Sequence, residues 1–182
     1  MTFPSRDKQA GGSLIRRMKG AAFFNVDVYE EVEADRSATG QAIFVVVLVA
    51  VVNGVVLLAN DGGVDGLVFG IIGSLLSWAV WAGITMFVGT TIFNTPETHA
   101  DWGQLARTTG FAQSPGVLGI LGVIPFLGAL VLFAIPVWRL ATMIVAVRQA
   151  LDYTSTLRAV GVVVVGFIPV LVVQAILFNS VR

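Results

Sequence analysis

The sequence predicts an all-α integral membrane protein, in which a bundle of five transmembrane helices follows a short N-terminal amphipathic, cytosolic helical region. Of its 182 residues, 56% are apolar and 12% are charged, whereas soluble domains carry roughly 25% charged residues. Mean hydropathy is +0.87. No charge occurs in four windows, each longer than the about 20 residues that a helix needs to cross a bilayer: 37–60, 66–96, 108–138 and 159–181. We therefore expect a cytosolic region, 1–39, and a membrane domain, 40–182.

One apolar run, 116–151, is too long for a single span. As one helix its 36 residues would extend about 54 Å, against a bilayer core of about 30 Å. Pro125 lies within it, flanked by Gly122 and Gly128, and proline removes a donor that a continuing helix needs. The run is therefore predicted to be a hairpin. Together with the other windows this gives five expected spans: 41–60, 66–93, 104–124, 126–151 and 157–178.

The N-terminal region contains a basic segment, 13–22. Its apolar side chains repeat along one side, with Arg16, Arg17 and Lys19 beside them. This pattern is typical of a short helix that lies on an anionic lipid surface. A basic tail that only sets the orientation of the chain is the alternative.

Two further segments carry the spacing of a helix start, in which a capping side chain is followed three residues later by Glu or Gln. Asp27 and Glu30 form the first pair, and Asp101 and Gln104 form the second. Asp101 is expected to cap the third span, which Pro115 should bend.

The distribution of cations predicts the topology. With five spans and the N-terminus in the cytosol, the inner segments hold the six N-terminal cations together with Arg107, Arg148 and Arg158, and only the terminal Arg182 lies outside. A four-span arrangement would leave Arg148 and Arg158 outside, against the positive-inside rule. The N-terminus is therefore expected in the cytosol and the C-terminus outside, in the cell membrane.

The second predicted span carries a stripe of small residues at a spacing of about four. Such stripes let two helix backbones approach closely in lipid, where apolar burial gives no driving force between helices. The stripe consists of Gly66, Gly70, Ser74 and, offset by one position, Ser77. Trp78 and Trp81 lie deeper than an interfacial belt, so we expect them to pack inside the bundle.

Signatures of enzymes are absent. The sequence has no phosphate-binding glycine-rich loop, no His-Glu-x-x-His and no Gly-x-Ser-x-Gly. His99 is its only histidine, and with two loop carboxylates it makes a weak metal site. We expect no catalytic residue, no cofactor, no metal and no nucleic-acid partner.

Arg139 is the exceptional residue of the spans. It lies nine residues before Arg148, about 13 Å along the helix and hence near the middle of the membrane. An arginine there costs at least about 2.5–3.5 kcal/mol and should have partners. The groups expected at the same depth in the membrane are Asn53 on the first span, Ser74 or Ser77 on the second, and carbonyls freed by Pro136. We expect the partners of Arg139 among them. Two interpretations remain open. The first, which we favour, is a structural tie or an arginine that snorkels to the interface from a helix longer than expected. The second is an anion or lipid-headgroup site in a water-filled cleft.

Several segments resemble the Yip (Ypt/Rab-interacting protein) domain of multi-pass membrane proteins over about 24–178. The resemblance rests on Leu105-Ala-Arg-Thr-Thr-Gly-Phe-Ala-Gln-Ser-Pro115, Ile124-Pro125, Ile135-Pro-Val-Trp138, Val147-Arg-Gln-Ala-Leu151 and the upstream Val28-Tyr-Glu-Glu-Val-Glu-Ala-Asp35. It implies a five-span bundle with a cytosolic N-terminus. For eukaryotic members it also implies binding to Rab-type GTPases and a place in early secretory membranes.

The short N-terminal region lacks the long cytosolic segment of those relatives, which argues against a GTPase partner and favours a prokaryotic-type member. The first functional hypothesis is a non-enzymatic scaffold or adaptor that contacts membrane lipids and binds protein partners or its own copies. The alternative is a permease or scramblase for ions, small molecules or lipids that uses the bent third span and Arg139. A further alternative is an accessory subunit of a larger membrane complex.

Overall fold

All regular secondary structure in the described residues is helical. The computed structural model describes residues 12–59, 64–98, 100–124 and 126–180. Within these ranges the α-helices are α1 Leu14–Ala22, α2 Val26–Ala34, α3 Ala38–Ala59, α4 Val64–Thr91, α5 Trp102–Ala112, α6 Gly128–Ala150 and α7 Thr156–Ser180. A 3₁₀ segment, Ser114–Val123, follows α5. This confirms the predicted all-α helical bundle.

Three of these helices contain stretches long and apolar enough to cross a membrane: Ala38–Val56, Ser74–Thr91 and Gly128–Ala150. A fourth helix, α7, contains a shorter apolar stretch, Thr156–Ile168. These four helices occupy the predicted spans 41–60, 66–93, 126–151 and 157–178 to within a few residues. The number of crossings, five, stays a prediction.

The predicted third span, 104–124, is not one bent α-helix. The α-helical hydrogen-bond pattern of α5 ends at Ala112, and the chain continues as the 3₁₀ segment. Pro115 lies at the start of that segment and has no N–H to donate. The Ser114 hydroxyl donates to the carbonyl of Phe111 at 2.6 Å, which satisfies one carbonyl that the ended helix leaves free. The proline therefore terminates the α-helix rather than bending it.

The apolar run after Pro115 doubles back, as predicted. The 3₁₀ segment packs against α6. Where they meet, a Cβ placed on Gly122 would lie 3.5 Å from Val131, and one on Gly128 would lie 3.3 Å from the Gly122 carbonyl oxygen. Pro125 itself lies outside the described residues, as does His99.

At its N-terminal end the chain folds into a helical hairpin, which we call the N-terminal hairpin: α1, α2 and the turn between them. Phe24 in this turn has a φ of 62°. The reversal makes Asn25 the N-cap of α2, and its side chain accepts a hydrogen bond from the Val28 N–H at 3.3 Å. The prediction that Asp27 caps this helix is thus wrong by two residues, because the cap is set by where the chain leaves the turn.

The centre of the bundle is the short helix α5. Every residue of it from Leu105 to Ala112 is buried. Around it pack α3, α4 and α6 together with both helices of the N-terminal hairpin, and α7 closes the bundle against α4 and α6. A helix of mixed polarity is thus enclosed by strongly apolar ones, so its polar groups must find partners within the protein.

Candidate functional site: the polar interior around α5

The N-terminus of α5 is held by the predicted capping box. The Asp101 carboxylate accepts from the Gln104 N–H at 2.8 Å, and the Gln104 side chain accepts from the Asp101 N–H at 2.6 Å. The Gln104 amide also donates to Glu33 of α2 at 3.1 Å. The cap thereby joins the start of α5 to the N-terminal hairpin.

Arg107 makes a second connection between α5 and α2. It is 5% exposed, and its guanidinium donates to the carbonyls of Val32, at 2.9 Å, and Glu33. These are among the last carbonyls of α2, where a cation is also favoured by the helix dipole. Arg107 therefore caps the C-terminus of α2.

Burial raises the pKa of the Glu33 carboxyl to about 7, and repulsion from Asp152 adds to the effect. The positive charge of Arg107 opposes the shift without cancelling it. Glu33 thus titrates near neutral pH.

The middle of α5 is bound to α3 and α4. Trp78 of α4 is 7% exposed, and its indole N–H donates to the Thr109 hydroxyl at 3.3 Å. On the α3 side, a Cβ on Gly110 would lie only 2.9 Å from the Cβ of Ala42. The glycine of the Gly-Phe-Ala-x-Ser-Pro motif is therefore needed for the close approach of two helices. The predicted packing of Trp78 inside the bundle is confirmed.

Arg139 lies at the C-terminal end of α5. Its guanidinium donates to the Gln113 side-chain oxygen at 2.8 Å. One turn along α6, the Thr142 hydroxyl donates to the Ala112 carbonyl at 2.6 Å. A helix that ends inside a bundle leaves carbonyls unpaired and carries a partial negative charge at that end. Arg139 and Thr142 supply a cation and a donor there, which explains a charge at this depth.

The partner of Arg139 is not among the residues that depth alone suggested. Within the described residues, its side chain makes no hydrogen bond to Asn53, Ser74 or Ser77. The Asn53 side chain lies beside Gly119 of the 3₁₀ segment, 3.9 Å from the position of a Cβ there. The signal for Gln113 was its place immediately before Ser-Pro, at the point where an α-helix must end.

The small-residue stripe of α4 remains a prediction. Ser74 is half-buried and Ser77 is exposed. Gly66 and Gly70 belong to α4, and their surroundings lie outside the described part of the chain. The exposure of Ser77 leaves this part of the stripe free to meet another helix.

The three cations proposed for the membrane surface have different environments. Lys19 is exposed. The side chain of Arg16 is 53% exposed and pairs with Glu31 at 2.5 Å. Arg17, in contrast, is only 2% exposed and pairs with Glu31 at 2.8 Å and with Asp35 at 2.6 Å. Arg17 was therefore wrongly assigned to the lipid surface, because its position in α1 faces α2 and the start of α3.

Arg17 and its carboxylates form a closed ion-pair network. Burial disfavours the charge on Arg17, but its hydrogen bonds to Asp35 and Glu31 outweigh burial and raise its pKa. Hydrogen bonds from Ser37 and Arg17 lower the pKa of Asp35. The Arg17 guanidinium also donates to Gln41 at 3.0 Å. The network fixes the start of α1 to the first turn of α3.

A different surface lies between α4 and α7. There, an apolar groove of about 590 Å³ is lined by Val80, Gly83, Ile84, Phe87, Val88, Val165 and Ile168. On α4, Trp81 Nε1 and Thr85 Oγ1 are buried and have no hydrogen-bond partner among the residues that the structure describes. A Cβ on Gly166 of α7 would lie 3.7 Å and 3.8 Å from them. A Cβ at Gly166 would therefore fit beside both atoms at van der Waals distance.

The described residues contain no group of three or more His, Cys, Asp or Glu side chains that could hold a metal ion. In comparisons with known proteins, residues 20–177 match the Yip1 domain. No match was found among curated proteins or among solved structures. The matched range includes the N-terminal hairpin from the last residues of α1 onwards and reaches deep into α7.

Proposed function

Because this chain belongs to the Yip1 domain family, we propose that it is a non-enzymatic membrane scaffold, which organises the bilayer around it and associates with further membrane helices. Its interior chemistry supports a structural role. The polar side chains around α5 are engaged with one another, with helix ends or with backbone carbonyls, as with Arg107, Thr109, Arg139 and Thr142.

The observation that carries this proposal is the apolar groove between α4 and α7 together with the exposed side of α4. Large apolar side chains point outward along this helix: Val68, Ile72, Leu76, Val80 and Phe87. Ser77 lies among them and offers a position where a second backbone can come close. We assign this face to a helix of a second copy of the chain, and other membrane proteins are alternative occupants.

Disulfide crosslinking tests the assignment, since the chain has no cysteine of its own. Val80→Cys in the groove should form dimers in reconstituted membranes. Leu132→Cys is the matched control, because Leu132 is 78% exposed on α6, away from the groove. Equal crosslinking at both positions indicates random collision. Two results together contradict the scaffold role: a native mass measurement that finds only monomers, and a Val80→Cys variant that crosslinks neither to its own copies nor to other proteins.

Transport is the second candidate, favoured by the break in the α5 helix beside Arg139. Within the described residues, the Arg139 guanidinium has one side-chain partner, Gln113, and a cation with so few partners next to a 3₁₀ segment has the composition of an anion or headgroup path. Reconstituted flux and lipid-scrambling assays distinguish the two. Transport by the wild type that is lost in Arg139→Leu supports this candidate. Absence of flux in the folded wild type removes it.

A further inference from the structure

The turn of the N-terminal hairpin exposes large apolar side chains. Phe23 is 70% exposed, Phe24 42% and Val26 39%. In a soluble protein such a cluster would be covered by the core or by a partner. Here the hairpin lies against α6, a helix with the length and composition of a membrane span.

Two hydrogen bonds fix the depth of the turn along α6. The Trp138 indole N–H donates to the Ala22 carbonyl at 2.7 Å, and the Tyr29 hydroxyl donates to the Thr142 carbonyl at 3.2 Å. Trp138 and Thr142 precede the end of α6, Ala150, by 12 and 8 residues, or about 18 and 12 Å. One leaflet of the bilayer core is about 15 Å thick. Measured from Ala150, the bond to Thr142 therefore lies within one leaflet, and the bond next to the turn, at Trp138, lies close to the middle of the bilayer core.

The backbone at Phe24 is unusual for its side chain. A φ of 62° is the left-handed region, which costs a bulky residue roughly 1–2 kcal/mol and suits glycine or asparagine. The turn thus carries an exposed aromatic ring at a position where the backbone favours glycine.

The charges of the hairpin fit a half-inserted orientation. Its most buried cation, Arg17, is neutralised by Glu31 and Asp35, so it adds no uncompensated charge. Asp27 and Glu30 lie exposed on α2, on the side that must then face headgroups and water. Lys19 lies on the exposed side of α1, and its long side chain can reach from there to the lipid phosphates.

We propose that the N-terminal hairpin is a wedge inserted into the leaflet on the N-terminal side of the membrane. Phe23, Phe24 and Val26 contact the acyl chains, and the Trp138 indole holds the turn at this depth on α6. The Lys19 ammonium binds anionic headgroups at the rim. The wedge adds volume to one leaflet only, so it acts on lipid packing beside the bundle. This requires that α6 cross the membrane and does not depend on association with a second copy.

The wedge is tested with single cysteines carrying an environment-sensitive fluorophore, in vesicles of phosphatidylcholine and phosphatidylglycerol. The test positions are Phe24→Cys and Val26→Cys. Glu30→Cys, on the exposed side of α2, is the matched control. Lipids brominated in the acyl chain should quench both test positions several-fold more than the control, and aqueous iodide should do the reverse.

Stronger quenching by iodide than by brominated lipid at either test position overturns the proposal, because that side chain then lies in water. Quenching by neither reagent also overturns it, since the turn is then covered by protein. The quenching experiment gives the same information whether or not the groove between α4 and α7 binds a second helix. Failure of the wedge is therefore distinguishable from failure of the scaffold role.

Discussion

Replacing Arg17 by methionine should release the N-terminal hairpin from the bundle, whereas the same change at Arg16 should not. The two residues are neighbours in α1 and share the partner Glu31. They differ in burial: the side chain of Arg16 is 53% exposed and that of Arg17 only 2%. They also differ in reach, because only Arg17 has bonds to Asp35 and Gln41.

The expected magnitudes follow from these contacts. Removing one partner of a fully buried ion pair costs about 3–5 kcal/mol. The carboxylates left behind by Arg17→Met are 31% and 27% exposed and regain part of their hydration, so we expect about 2 kcal/mol. Arg16→Met removes an exposed pair, which contributes at most about 1 kcal/mol.

Hydrogen exchange of the α1 amides measures this local stability in detergent or nanodiscs. At 1.4 kcal/mol per factor of ten, Arg17→Met should accelerate exchange in α1 about 30-fold, with little change in α4. Arg16→Met should accelerate it about fivefold or less. Similar effects of the two substitutions would refute the assignment of Arg17 as the buried centre of the network.

Three further substitutions follow from single contacts. The pKa of Glu33 is raised to about 7 from 4.5, so its contribution to stability is full below about pH 4.5 and is lost as pH rises through 7. Glu33→Gln should remove this fall, which is measured as the difference in Tm between pH 5 and pH 8. Gly110→Ala brings a Cβ within 2.9 Å of Ala42 and should lower stability by about 1–3 kcal/mol. Its control, Gly40→Ala, meets nothing within 4 Å and should raise stability by about 0.5–1 kcal/mol; equal effects would contradict the close approach. Gly166→Ser places a hydroxyl beside Trp81 Nε1 and Thr85 Oγ1, which have no partner among the described residues, and should raise Tm by about 2–4 °C; a lower Tm would mean that the space is already filled.

The long apolar helices were predictable from sequence because each depends on one local property. A charge-free window of sufficient length places a helix such as α3 or α6 to within a few residues, whatever its neighbours are. The capping box of Asp101 and Gln104 was predictable for the same reason, since both of its hydrogen bonds close within one turn.

The environments of the arginines were not predictable in the same way. Arg17 lies in a basic, amphipathic segment, and only the fold of α2 over α1 brings Glu31 and Asp35, 14 and 18 residues away, to its guanidinium. Arg139 required knowing that α5 ends at Ala112. Depth-matching assumed that the neighbouring spans are continuous helices, and it therefore selected side chains at equal height instead of a helix end.

Together, α5 and the 3₁₀ segment are expected to cross the membrane once, so that the start of α5 and the end of the 3₁₀ segment lie on opposite faces of the membrane. Single cysteines at Glu97, in the loop before α5, and at Phe126, which is 101% exposed in the turn after the 3₁₀ segment, report the two ends. A membrane-impermeant maleimide applied to oriented vesicles should label Phe126→Cys from one side only and Glu97→Cys from the other. Labelling of both positions from the same side would contradict the claim.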